Sequence, residues 1–187
     1  RITTNYGIMN NMPIGEKITE DFKFFEKNLT GFRPLEFAVY AQEGYKANDY
    51  EVVKEIAKVE NHLHEYPSIK AIGSITAVYK SINQMMRNNN PNAYEMPDDE
   101  ATFERYQRMA SRVPKLSANV LLSKDEKKAR ITSRILDIGA DTIKQMGQRI
   151  DDWIVSNTDT SVVQFKQTGT GLIIDKNAQY VRRNLLQ

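Results

Sequence analysis

Two runs in this chain alternate apolar and polar side chains, and that period of two constrains the fold more tightly than any other feature. Leu35, Phe37 and Val39 alternate with Glu36, Ala38 and Tyr40, which puts the larger aliphatic and Phe side chains on one face of a strand. Between Lys128 and Asp137 the pattern returns: Ala129, Ile131, Ser133 and Ile135 share one face, and Arg130, Thr132, Arg134 and Leu136 the other. A strand with one wet face needs a partner layer on its other face only.

Helical stripes supply that layer. Val52, Ile56, Val59 and Leu63 recur at steps of four, three and four, a helical row that Asn48 or Asp49 can cap and that Tyr66-Pro67 ends, because Pro disfavours helical angles in the residue before it. Ile143, Met146, Ile150 and Trp153 or Ile154 form a second row, with Asp141 as its expected cap. Burying four such side chains is worth on the order of 6 to 12 kcal/mol gross before ordering entropy is subtracted, so this helix has to dock. Two more strands are expected, Ser68 to Gly73 with Ile69 and Ala71 or Ile72 inward, and Val162 to Gln167.

The expected order is strand, helix, strand, helical insertion, strand, helix, strand. An α+β fold follows, a ferredoxin-like βαββαβ sandwich in which both helices cover one face of a four-stranded antiparallel sheet. Its parts are a helical lead-in over 1–34, the first half of the sandwich over 35–73, a mostly helical insertion over 74–123, the second half over 124–168, and a hinge with a C-terminal helix over 169–187. The lead-in carries Ile18, Phe22, Phe25 and Leu29 at helical spacing. The insertion carries Ile75, Val78, Tyr79, Ile82 and Met85 or Met86, then Phe103, Tyr106 and Met109 after a Pro97-Asp98-Asp99-Glu100 helix entry.

Composition removes several function classes. With 187 residues and 40% hydrophobic content, the chain buries roughly 70% of its unfolded surface, enough for one ordinary domain or two small lobes. Its 26 basic and 24 acidic side chains are mixed along the sequence, for a formal net charge of +2; no basic run advertises a nucleic-acid partner. Cysteine is absent, which excludes disulfides, thiol catalysis and thiolate metal sites. No apolar run approaches the roughly 18 to 20 residues of a membrane span, and Arg1-Ile2-Thr3-Thr4-Asn5 has no signal-peptide core.

The remaining motifs read as structure. Gly169-Thr170-Gly171 lacks a following Gly-Lys-Ser/Thr, and Ile174 stands where GxGxxG needs its third glycine; these residues are a candidate hinge rather than a phosphate cradle. His62 and His64, two apart on a helix, point in different directions and read as solvated surface residues, with no metal site. Asp98-Asp99-Glu100 and Asp151-Asp152 read as helix-start and surface acids, because catalytic carboxylates face each other across a cleft. The tyrosines and methionines of the insertion read as packing, with a groove for acyl chains as the alternative. No nucleophile, base and orienting residue converge, so no catalytic residue and no cofactor is expected.

A resemblance adds a function. Pro13 to Asn28, followed by Gly31-Phe32-Arg33-Pro34-Leu35-Glu36, and at the other end Val162 to Asn177 with its Thr168-Gly169-Thr170-Gly171 break, are similar to the large extracytoplasmic loop of RND-superfamily exporters, of MMPL and sterol-sensing-domain type. The match is closer to the second large loop than the first. The resemblance implies a porter domain on the periplasmic side of a bacterial membrane, excised from between two membrane helices, in an exporter driven by a proton gradient. It implies a hydrophobic or lipid-like substrate and, as partners, the membrane-helix part and the other extracytoplasmic loop, with a homo-oligomer as an option. Arg182-Arg183 would then meet anionic headgroups. The rival expectation is a soluble ferredoxin-like regulatory or protein-binding module.

Overall fold

A computed structural model of the chain describes residues 33–112 and 121–168. Strand β1 (Arg33–Ala41) leads to helix α1 (Tyr50–His64) and strand β2 (Ile69–Gly73). Helices α2 (Thr76–Met86) and α3 (Glu100–Ala110) follow, with a 3-10 turn at Pro91–Ala93 between them. Strand β3 (Lys128–Ile135), helix α4 (Ala140–Asn157) and strand β4 (Val163–Thr168) complete the described part. The molecule is α+β, with one antiparallel sheet in the order β2-β3-β1-β4.

The two strands with the fullest alternation take the centre. Leu35, Phe37 and Val39 of β1 and Ala129, Ile131, Ser133 and Ile135 of β3 are all buried, and Phe37 lies opposite Ile131 in register. Ser133 is the polar member of that inner face; its hydroxyl donates to the Leu35 carbonyl at 2.6 Å, so no hydrogen-bonding group is stranded there. Beyond Ile135 the strand stops, two residues short of the expected Asp137, whose buried carboxylate instead lies 3.4 Å from Arg33.

The edge strand β2 departs from simple alternation. Ile69 is buried as expected, but Ala71 is exposed at φ 51° and Ile72 only half-buried. The pairing with β3 shifts register between Lys70 and Gly73, and a bulge of this kind takes one residue out of the inward–outward count.

Helices α1 and α4 lie side by side against the inner face. Val52, Ile56, Val59 and Leu63 of α1 and Ile143, Met146, Ile150 and Ile154 of α4 are buried. Neither expected cap is made by a side chain. Asp49 occupies the N-cap of α1, but its carboxylate accepts the Lys46 N–H at 2.7 Å. Gly139, not Asp141, precedes α4, at φ 87°, a backbone angle that L side chains rarely adopt. Gln167 ties α4 to β4, donating to the Gly147 carbonyl at 2.7 Å.

Helices α2 and α3 pack on each other and on α1. The Phe103 ring sits 4.1 Å from Tyr79 and 5.3 Å from Tyr50, joining Tyr79, Ile82 and Tyr106 to the core of the sheet. The expected stripe continues through Met85 or Met86, yet both are exposed, at 53% and 48%. The last turn of α2 lies past the core.

Candidate functional site: the outer face of the sheet

Strand registers stack the outward side chains in rows. Across β2, β3 and β1 runs Lys70, Arg134 and Pro34; across β3, β1 and β4 run Thr132, Glu36 and Thr168, then Arg130, Ala38 and Lys166, then Lys128, Tyr40 and Gln164. Successive rows are about 7 Å apart, twice the rise of a strand residue. Lys70, Lys128, Arg130, Arg134 and Lys166 are exposed, and Glu36 is the one carboxylate on these rows. Five basic groups thus face one acid, although the whole chain holds 26 basic and 24 acidic side chains.

Little neutralises this face from within. Arg130 approaches Glu36 no closer than 3.9 Å, and the Lys128 ammonium sits 5.7 Å from the centre of the Tyr40 ring. Among the described residues Lys70, Arg134 and Lys166 make no ion pair. Ala38, flanked by Arg130 and Lys166, leaves a shallow dip between two cations.

The same register fixes where the chain comes and goes. Glu36 of β1 pairs with Thr168 of β4, so the start of β1 and the end of β4 are neighbours at one end of the sheet.

The buried polar groups between helices α1, α2 and α3 pair with one another and with nearby carbonyls. Glu60, on α1, accepts from Ser74 at 2.7 Å, from the Thr76 hydroxyl, and from the Lys80 ammonium at 3.0 Å. All four are buried. Tyr79 donates to Asn48 at 2.6 Å, and Tyr106 to Asn83 at 3.0 Å, while the Asn83 amide caps the carbonyls of Ala93 and Glu95. Burial pushes the Tyr79 phenol well above its ordinary value. These networks clamp helices together.

His62 is a correction. Expected in solvent, it is buried and stacked on Trp153, with ring centres 3.9 Å apart and planes 9° from parallel. Its Nδ1 lies 3.0 Å from the Glu65 carboxylate, and its Nε2 3.3 Å from the Tyr66 hydroxyl. His64 is exposed as expected.

Of the acidic clusters, Asp98-Asp99-Glu100 sits at a helix start and Asp151-Asp152 on the exposed side of α4. Asp99 caps α3, accepting from the Thr102 N–H at 2.8 Å and its hydroxyl at 2.9 Å, and these donors hold its carboxyl below the usual carboxylate range. Asp151 accepts from Gln167 at 2.9 Å, and burial raises its carboxyl. Of the tyrosines and methionines read for an acyl groove, Tyr79 and Tyr106 are core residues, and Met85, Met86 and Tyr94 are exposed. A hollow of about 220 Å³ beside Ile154, Val155 and Phe165 is smaller than the roughly 300 to 1,000 Å³ of small-molecule sites. The candidate hinge Gly169, Thr170 and Gly171, the lead-in helix and Arg182-Arg183 lie outside the described residues.

The chain matches no protein-family model, and no curated protein is significantly similar to it.

Proposed function

We propose that this chain is an extracytoplasmic porter domain of a proton-driven exporter of the RND superfamily, MMPL type, and forms part of the path of a hydrophobic or lipid-like substrate. The reading starts from the sequence resemblance at both ends. The topology supports it: β1-α1-β2 straddles β3, and β3-α4-β4 straddles β1, the interlocked split βαβ units of a ferredoxin-like sandwich. Helices α2 and α3 are then the insertion between its halves.

One observation carries the proposal. Because Glu36 pairs with Thr168, the chain enters and leaves this sandwich at adjacent points, as a domain strung between two consecutive membrane spans requires. The family's proton-relay carboxylates belong to its membrane helices, and among the described residues no helix is long and apolar enough to cross a membrane. On this reading the domain's part is a wall and a gate along the substrate path, moved by the neighbouring membrane helices. Its partners are those helices and the companion loop.

A free-standing module that dimerises through its sheet is disfavoured by the five basic side chains on that face, which a face-to-face copy would oppose with five more. The test is the coding sequence on either side of the chain. Apolar spans of about 20 residues directly before Arg1 and directly after Gln187 are expected; a start codon and a stop codon in those places would overturn the reading.

A further inference from the structure

We infer that the outer face of the sheet docks an acidic polypeptide running along the strands. The inference needs only the charge and spacing of the face, and stands whether or not the exporter reading does.

An extended polypeptide presents every second side chain on one side at intervals of about 6.8 Å. The rows of this sheet repeat at the same interval, so carboxylates at alternate positions of a partner meet Lys128 and Arg130 in consecutive rows of β3, with Lys166 reached across Ala38. The long Arg130–Glu36 approach of 3.9 Å leaves the guanidinium free to turn to a better acceptor.

Other polyanions fit less well. Single-stranded nucleic acid needs aromatic rings on which bases stack, and this face has one, Tyr40, with the Lys128 ammonium already over it. A lipid surface takes an apolar face as well as charge, but among the described residues the large exposed hydrophobic ones, Met85, Met86, Tyr94 and Val155, belong to α2, the segment between α2 and α3, and α4. A second copy through the same face meets like charge.

The test is binding of fluorescent poly-L-glutamate to the 187-residue chain, read by anisotropy at about 20 mM and about 150 mM salt, where screening lengths differ by more than twofold. Binding that weakens with salt is expected. Arg130→Glu with Lys166→Glu is expected to weaken it about tenfold or more, and the neutral pair Arg130→Gln with Lys166→Gln by a smaller factor, with unchanged circular dichroism. Lys144→Glu with Arg149→Glu, the same charge change on exposed α4 positions, is expected to leave it within about twofold. Three results would each overturn the inference: no binding by the parent chain, equal loss in the α4 variant, or tighter binding of a thymidine oligonucleotide or phosphatidylglycerol vesicles at equal salt.

Discussion

His62 and Trp153 form a contact between α1 and α4 that joins two residues ninety-one positions apart in the chain. Such a stack is worth about 0.5 to 1.5 kcal/mol beyond the area it buries. His62→Ala is expected to lower stability by about 1 to 2 kcal/mol and to shift Trp153 emission to the red, both read in one urea titration. A signal was present in the sequence: Val59, His62 and Tyr66 continue the helical spacing of α1, and one lone tryptophan sits on the other amphipathic helix. Tyr79 gives a second residue-scale test. Its folded phenol titrates above the unfolded value of 10.0 because burial disfavours the charged form. Its contribution is complete below pH 10 and is lost as pH climbs past 10 toward the folded value, since the unfolded chain then releases the proton more readily. The urea midpoint is expected to fall as pH rises above about 10, and Tyr79→Phe to flatten that fall while costing about 1 kcal/mol at neutral pH from the lost Asn48 bond.

At the scale of elements, the Glu60–Lys80 pair decides how α2 sits on α1. Both side chains are nearly inaccessible, at 5% and 8% of residue exposure, so removing one leaves the other charged and unmatched. Glu60→Ala is expected to destabilise the fold by about 3 to 5 kcal/mol, and Glu60→Leu with Lys80→Met to recover most of it; chemical denaturation of the single and double variants checks both. Periodicity is silent on Glu60 and Lys80, because their partners come from another element. The start of α3 is the opposite case, legible from Asp98-Asp99-Glu100 alone. Asp99 titrates below its unfolded value, so the cap is intact above that value and lost as pH falls through the folded one. Asp99→Ala is expected to fray the first turn, seen as faster amide exchange near Ala101 and Thr102, with little further change on acidification.

Across the whole molecule, the sheet sorts charge that the sequence mixes. Lys70 and Arg134, sixty-four positions apart, face each other across β2 and β3, and directly opposed like charges destabilise a strand pair. Lys70→Glu is therefore expected to stabilise the fold by a few tenths to about 1 kcal/mol. The gain should shrink at high salt, as thermal melts at two ionic strengths would report. If the acidic-polypeptide inference holds, that variant also binds poly-L-glutamate more weakly, so stability and docking move in opposite directions.

The sequence by itself determined the kind and order of the described strands and helices and most of their buried faces, because a period of 2 or 3.6 is set by backbone geometry within a few residues. Leu35, Phe37, Val39, Ile131 and Ile150 could be assigned inward on that ground alone. Only the tertiary structure decided the neighbours: that β1 lies between β3 and β4, that His62 meets Trp153, that Glu60 meets Lys80, and that Lys70, Lys128, Arg130, Arg134 and Lys166 share one surface. Adjacency of remote segments is settled by the joint burial of several apolar faces and by the paths of the loops between them, and no local pattern encodes either.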